Sequence, residues 1–260
     1  MRSIAINIPV QRIIGLNLRV SELNRSLSFF RGLLGLEIKG TFGREAFLHW
    51  KPDGEDFVGL FVRQSPGWHH VELRLHAADA QMALAYLDSR SLLACLRSVG
   101  SWHLSQKVLR SYVPPEVEIF TPLTKAPLVA ELPDPDGRSL ELVFLPEEYA
   151  EIEVPGLLAI EVESSRPDVV NAFYSQLGLL STSQGLCCAS GQRLVVHQGD
   201  RPSWVRATIA VPSNAIMRLQ DRAITLQEGV VKIEGPDGHE FVLVGYPGLP
   251  WFDAQQLMEV

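Results

Sequence analysis

Two adjacent histidines raise the question of a metal site. His69 and His70 lie in GWHHVELRL, whose alternating apolar residues predict a β-strand. A neutral imidazole is a common metal ligand. Successive strand residues face opposite sides of a sheet, so His70 and His69 cannot both face one site. Because a single strand histidine is more often structural than metal-binding, the interpretation depends on which other ligands the fold brings to the same face.

The composition excludes several classes of protein. Hydrophobic residues make up 46% of the chain and charged residues 20%, which is typical of an ordinary globular protein and excludes a disordered or coiled-coil chain. The net charge of −7 argues against a surface for nucleic acid. No apolar run is long enough to span a membrane. We therefore expect small-molecule ligands, and neither nucleic acid nor a membrane as partners.

Cysteine usage and the N-terminal residues predict a cellular location. Cys95, Cys187 and Cys188 offer neither a disulfide framework nor a CxxC pair of the zinc or redox type. The first residues, MRSIAINIPVQRI, lack the apolar core and cleavage site of a secretory signal. Both observations predict a cytoplasmic protein.

An internal repeat indicates the architecture. LNLRVSELNRSLSFFRGLLGLEI (Leu16 to Ile38) and LAIEVESSRPDVVNAFYSQLGLL (Leu158 to Leu180) each predict a strand, an amphipathic helix and a glycine that ends the helix. In the first copy Ser21 is the predicted N-cap. The apolar positions that predict the buried face of that helix are Leu23, Leu27, Phe30 and Leu34.

A second pair of segments extends the repeat to four units. PDPDGRSLELVF (Pro133 to Phe144) and EGPDGHEFVLVG (Glu234 to Gly245) each predict an Asp-Gly turn followed by a strand, and His239 in the second turn is predicted to be solvated. With HHVELRL and VRATIAV as further strand-to-helix starts, four units of one strand, one helix and about three strands result. They group into domains of residues 1–150 and 151–260.

These segments resemble the vicinal oxygen chelate superfamily of glyoxalases, bleomycin-resistance proteins and type I extradiol dioxygenases. The resemblance covers nearly the whole chain and implies an α+β fold in which four βαβββ modules pair into two half-open mixed-sheet barrels. In the dioxygenases a divalent metal is held by a histidine on the first strand of each of two modules and by a glutamate four residues past the PDG glycine. These three ligands leave open positions on iron(II) for substrate and oxygen.

Two of the three expected ligands are present in the N-terminal pair of modules. The positions implied by the resemblance are Gly15, His70 and Glu141. Glycine has no ligating side chain, so the first ligand is missing, whereas His70 and Glu141 keep theirs. We therefore expect these two residues to bind a divalent ion of Fe, Mn, Ni or Zn, unless the chain holds no metal at all.

The proton-transfer groups of the dioxygenases have also changed. Asp56 is nearest to the position of their acid–base histidine, and Glu131 stands where they carry a tyrosine. Either carboxylate is a candidate general base. Glu131 could also join His70 and Glu141 in an alternative nitrogen and oxygen ligand set.

The C-terminal pair keeps no ligand. Its equivalent positions are Leu157, Arg206 and Val242, which exclude the family's metal site there. Arg206 could bind an anionic group of a ligand. The favoured interpretation is a salt bridge with an acid such as Glu161.

Three functions remain open. The first is a metal-dependent dioxygenase or lyase acting on a small molecule with vicinal oxygens. The second is a metal-free protein of the bleomycin-resistance type that binds or sequesters a small molecule. The third is an interaction scaffold, in which Trp251 and Phe252 of the C-terminal tail contact another subunit of a homodimer.

Overall fold

Most of the described chain is β-strand, as the alternation of apolar and polar residues predicts. The computed structural model describes residues 9–50, 57–78, 80–89, 128–145, 156–219 and 223–246. Their strands form two mixed sheets, one of seven strands and one of eight. Asp56 and the tail residues Trp251 and Phe252 lie outside the described residues.

The first sheet has the strand order β2-β3-β4-β1-β5-β7-β6. Its strands are β1 (Val10–Val20), β2 (Glu37–Phe42), β3 (Glu45–His49), β4 (Phe57–Val62), β5 (Gly67–His76), β6 (Leu128–Pro133) and β7 (Ser139–Leu145). The pairs β1–β4 and β5–β7 are parallel, and β6 runs antiparallel to β7. The parallel pair β5–β7 positions the candidate ligands described below.

The second sheet has the strand order β13-β14-β15-β12-β8-β11-β10-β9. Its strands are β8 (Leu157–Ser164), β9 (Leu180–Thr182), β10 (Gly185–Cys187), β11 (Arg193–Gln198), β12 (Ser203–Pro212), β13 (Ile224–Gln227), β14 (Val230–Glu234) and β15 (Glu240–Tyr246). The pair β12–β15 is parallel, as β5–β7 is in the first sheet. The same strand arrangement thus occurs once in each sheet.

Each of the four repeat units begins with a strand and a helix. The helices are α1 (Leu23–Leu27), which continues as a π-helical segment (Ser28–Leu33), α2 (Ala80–Ser89), α3 (Pro167–Gln176) and α4 (Ser213–Arg218). The first, third and fourth units then add three strands each. In the second repeat unit β6 and β7 follow residues 90–127, which are not described. No helix in the described ranges is long and apolar enough to cross a membrane.

The first helix differs from its prediction. Its N-cap is Glu22 instead of Ser21, and no side chain caps it. Ser21 is used elsewhere: its backbone N–H and its hydroxyl both donate to Asp237 Oδ1, at 3.2 and 2.6 Å. The predicted cap was wrong: Ser21 lies one residue before the N-cap, and it donates to Asp237, a residue far away in the sequence.

The buried face of the first helix also differs from the prediction. Leu23 and Leu27 are only half-buried, whereas Phe29 is buried together with the predicted Phe30 and Leu34. A π-helical turn contains more residues than an α-helical turn, so it shifts the positions that follow it around the helix axis. The π-helical segment therefore changes which residues pack into the core.

The described residues pack into two compact units. The first contains parts of Met1–Ile14, His70–Ile152 and Ser164–Pro202, and the second contains parts of Gly15–His69, Glu153–Glu163 and Ser203–Val260. Each unit combines segments from both halves of the sequence. The division into domains of residues 1–150 and 151–260 therefore stays a prediction.

In the first compact unit, the turn before β7 is built around a buried carboxylate. Asp134 accepts hydrogen bonds from the backbone N–H groups of Asp136 and Arg138, both at 2.9 Å, and from Arg138 Nε at 2.7 Å. The hydroxyl of Tyr174 in α3 donates at 3.3 Å to Asp134 Oδ2, the same oxygen that accepts from Arg138 Nε. This network fixes the turn from which β7 starts.

In the second compact unit, the equivalent turn before β15 is built around Asp237. Asp237 accepts from Ser21, and Arg25 Nη2 donates to it at 2.8 Å. Burial alone would raise the pKa of Asp237, but the hydrogen bonds from Ser21 and the charge of Arg25 lower it below the ordinary value.

The prediction that His239 is solvated was wrong, because its side chain is buried and packs edge-on against Trp68.

Candidate metal centre

The candidate site lies on the face of β5 to which His70 belongs. Residues two apart on a strand share a face, so Glu72 follows His70 on that side. In the parallel pairing of β5 with β7, His70 lies opposite Ser139 and Glu72 lies opposite Glu141. Strand alternation and register therefore bring one imidazole and two carboxylates to the same place.

The three side chains converge within the first compact unit. His70 Nε2 lies 3.4 Å from Glu141 Oε1 and 3.4 Å from Glu72 Oε1. One ligand atom from each residue can be chosen so that all lie within 4.8 Å of one another. The side chains of His70, Glu72 and Glu141 are 8%, 4% and 14% exposed. The structure thus brings together the two residues that the sequence predicted as ligands, and it adds Glu72.

Carboxylates surround the imidazole of His70 and affect its protonation. Burial favours the neutral imidazole, but the hydrogen bond with Glu72 and the negative charges of Glu141, Glu72 and Glu131 raise the pKa of His70 above its ordinary value. A metal ion at His70 would bind the neutral imidazole, so it would compete with the proton that these carboxylates favour.

The donor set and spacing fit a divalent ion. At metal–ligand bond lengths of about 2.0–2.2 Å, neighbouring donor atoms around one ion lie about 3.0–3.5 Å apart. The two separations of 3.4 Å from His70 Nε2 fall in that range. Imidazole nitrogen and carboxylate oxygen are donors that Fe, Mn, Ni and Zn all accept.

Glu72 is the residue that the sequence analysis missed. The prediction considered only the positions that the resemblance assigns to ligands, and Glu72 is not one of them. The signal was nevertheless present: in HHVE the glutamate stands two residues after His70, and strand alternation alone places it on the same face.

Glu131 lies next to this group but does not belong to it. It is exposed on β6, opposite Glu141 in the antiparallel register, and Ser139 Oγ donates to its Oε1 at 3.2 Å. Glu72, Glu141 and Glu131 therefore form one row across three neighbouring strands. The other candidate base, Asp56, is not in the described part of the chain, and Gly15 lies within β1.

The equivalent positions of the second sheet form an ion-pair network. Arg206 is held by Glu161 through two hydrogen bonds, Nε–Oε1 at 2.8 Å and Nη2–Oε2 at 2.9 Å, and by Glu240 at 3.2 Å. Lys232 also pairs with Glu240. The favoured interpretation of Arg206 as a partner of Glu161 is confirmed.

Comparison with known proteins supports the fold. No protein-family model matches the sequence, and no curated sequence is significantly similar to it. Among solved structures, homoprotocatechuate 2,3-dioxygenase from Brevibacterium fuscum in complex with 3,4-dihydroxyphenylacetate has a TM-score of 0.64 at 14% identity. The alignment covers 97% of this chain and 87% of that one.

Two further structures agree. Homoprotocatechuate 2,3-dioxygenase from Arthrobacter globiformis has a TM-score of 0.63 at 15% identity, covering 95% of this chain and 86% of that one. The Mn(II)-bound glyoxalase from Novosphingobium aromaticivorans has a TM-score of 0.62 at 17% identity, covering 95% and 85%. The predicted α+β fold with two mixed sheets is thereby confirmed: this chain has the fold of the extradiol dioxygenases and glyoxalases of the vicinal oxygen chelate superfamily.

Proposed function

We propose that this protein binds a divalent metal ion through His70 and Glu141 and acts on a small molecule with two adjacent oxygen atoms. The observation that carries the proposal is the 3.4 Å separation of His70 Nε2 and Glu141 Oε1. These residues are far apart in the sequence, and each occupies a ligand position that the resemblance implies. The bound ion would act as a Lewis acid on the oxygens of the ligand.

Glu131 is the proposed general base of the site. Its carboxylate is exposed beside Glu141, and the hydroxyl of Ser139 orients one of its oxygens. The second oxygen can then accept a proton from a hydroxyl group of a ligand bound at His70 and Glu141. Asp56 stays an alternative candidate for this role.

The structural neighbours support the ligand class. One of them holds 3,4-dihydroxyphenylacetate, a compound with two adjacent hydroxyl groups, and another is a Mn(II)-bound glyoxalase. Because the fold hosts unrelated functions, the assignment for this chain depends on the site itself. We propose a catechol or a similar vicinal dioxygen compound as ligand.

Metal binding tests the proposal directly. Protein without a polyhistidine tag is stripped with EDTA and titrated with Fe²⁺, Mn²⁺, Ni²⁺ or Zn²⁺ by calorimetry, with elemental analysis after dialysis. We expect one ion per chain in the wild type and its loss in both His70→Ala and Glu141→Ala. His197→Ala, at an exposed strand histidine, is the matched control and should bind like the wild type.

The same titration can overturn the proposal. A wild type that binds none of the four ions, or a His70→Ala variant that binds them equally well, removes the metal function. The metal-free binding protein then becomes the better assignment.

The role of Glu131 needs a separate measurement. Metal-loaded wild type and Glu131→Gln are compared for conversion of a panel of catechols and of thiol adducts of 2-oxoaldehydes. Glu131→Gln should keep its metal and lose about 100-fold or more in rate, because a general base contributes roughly that factor. Equal rates would show that another group takes the proton.

A further inference from the structure

Glu72 is a buried carboxylate for which the ligand pattern of the fold provides no role. It belongs to the interior of the first unit and faces both members of the proposed metal pair. Its Oε1 lies 3.4 Å from His70 Nε2, and its strand position is opposite Glu141. Its carboxylate thus belongs to the group of atoms that converge around His70 and Glu141.

The count of ligands indicates what that role is. His70 and Glu141 supply only two protein donors, whereas catalytic metal sites usually have three. The resemblance would place the third donor at Gly15, which has no side chain to offer. Glu72 offers a carboxylate oxygen within the same group of converging atoms.

We propose that Glu72 is the third protein ligand, in place of the missing imidazole, so that the strand pair β5–β7 alone supplies the complete set. This inference rests on the proposed function. The set then contains one nitrogen and two carboxylates, instead of two nitrogens and one carboxylate. Two carboxylates balance the charge of a divalent ion.

The altered donor set has a consequence for metal preference. Carboxylate oxygen suits hard ions such as Mn²⁺, whereas imidazole suits Zn²⁺ and Ni²⁺ better. Exchanging an imidazole for Glu72 should therefore raise the affinity for Mn²⁺ relative to that for Zn²⁺. The measurable quantity is the ratio of the two affinities within one protein, because Zn²⁺ binds more tightly than Mn²⁺ to most sites.

Two substitutions at this position test the inference. Glu72→Gln removes the charge and keeps the volume, and it should weaken Mn²⁺ binding by on the order of 100-fold, since changes even to groups that only orient ligands cost about 10–100-fold. Glu72→His restores two imidazoles and one carboxylate. It should bind metal again, with the Zn²⁺ to Mn²⁺ affinity ratio raised at least about tenfold over that of the wild type.

The measurement is calorimetric titration of tag-free protein with Mn²⁺ alone and with Zn²⁺ in competition, with circular dichroism to verify folding. Glu228→Gln, which alters an exposed glutamate in a turn of the second unit, is the control and should leave both affinities unchanged. If Glu72 were only a structural partner of His70, Glu72→Gln would change stability but not metal affinity.

The outcomes separate the inference from the proposed function. If Glu72→Gln binds Mn²⁺ like the wild type while His70→Ala and Glu141→Ala do not, the third ligand is not Glu72 and the metal function stands. If the wild type binds no ion, both fail. Should Glu72→Gln not fold, Glu72→His decides: an unchanged Zn²⁺ to Mn²⁺ ratio overturns the inference.

Discussion

The parallel strand pairs β5–β7 and β12–β15 have the same register, but the side chains at their corresponding positions differ in charge. His70 and Glu72 on β5 correspond to Arg206 and Thr208 on β12, and Glu141 on β7 corresponds to Val242 on β15. Glu131 on the neighbouring β6 corresponds to Lys232 on β14. The same backbone arrangement therefore carries a row of three acids in the first sheet. In the second sheet the corresponding row consists of Thr208, Val242 and Lys232.

The difference lies in how each row balances its charges. In the second sheet, Arg206 and Lys232 meet the carboxylates of Glu161 and Glu240, so each charge finds a partner within the protein. In the first sheet, carboxylates surround one imidazole and raise its pKa. The ion pairs of the second sheet have a structural role, whereas the proposed function makes the acidic row of the first sheet a cation site. The following predictions test this contrast.

The largest effect is expected at the turn that positions β7. Asp134→Ala removes the 2.7 Å ion pair between Asp134 Oδ2 and the buried guanidinium of Arg138. The loss should lower the free energy of unfolding by about 3 kcal/mol, because breaking a buried ion pair is strongly destabilising. Urea denaturation followed by circular dichroism measures it. Gly235→Ala, at the equivalent position of the second sheet, does not serve as a control. The added Cβ would lie 3.1 Å from the ring of Phe241 and would itself disturb the packing. A loss below about 1 kcal/mol would contradict the assigned role of Asp134.

Metal addition should separate the two rows next. At free Mn²⁺ of about 100 times the Kd, a single site stabilises the folded wild type by about 2.7 kcal/mol. We expect that gain to vanish in His70→Ala and to persist in Arg206→Ala, which changes the equivalent position. Thermal unfolding with and without Mn²⁺ provides the comparison. A gain that survives in His70→Ala would place the ion elsewhere.

A smaller effect is expected in the second row itself. Arg206→Met removes the positive charge while keeping most of the volume, and it removes the two hydrogen bonds that Arg206 donates to Glu161. The row is partly exposed, so the cost should be about 1–2 kcal/mol, whether or not Mn²⁺ is present. Urea denaturation in EDTA tests this value. An unchanged stability would show that the network contributes little.

The smallest effect concerns the turn before β15 and depends on pH. Asp237→Asn should cost about 1 kcal/mol at neutral pH, because the carboxylate accepts from Ser21 and Arg25. The pKa of Asp237 is lowered from 3.8 in the folded protein, so its stabilisation is fully present above 3.8 and is lost as the pH falls through the lowered value. The denaturation curves of variant and wild type should therefore differ at neutral pH and converge once the pH has fallen below the lowered pKa of Asp237. A difference that does not change with pH would exclude the charge of Asp237 as the cause.

The sequence predicted the parts of the site that depend on local pattern. Strand alternation assigned a face to His70, and the Asp-Gly turn fixed where β7 begins and hence where Glu141 falls. The search by family position missed Glu72, although alternation would have found it. Local pattern can identify a ligand on a strand, but only when each residue on the ligand's face is considered.

Other features depend on contacts that no local pattern contains. Ser21 looks like an N-cap until Asp237, near the other end of the chain, accepts its hydrogen bonds. Likewise, the π-helical segment changes the buried face of the first helix without an obvious signal in its sequence. In the case of Ser21, a tertiary contact accompanies the departure from the predicted cap.

The parallel pairing of β5 with β7 also makes the site sensitive to sliding of one strand along the other. If β7 slipped by a single residue, Glu141 would turn to the reverse side of the sheet, although the chain would still contain the same amino acids. Substitutions that loosen the buried turn before β7 are therefore expected to abolish the proposed cation binding without changing any of the proposed ligands.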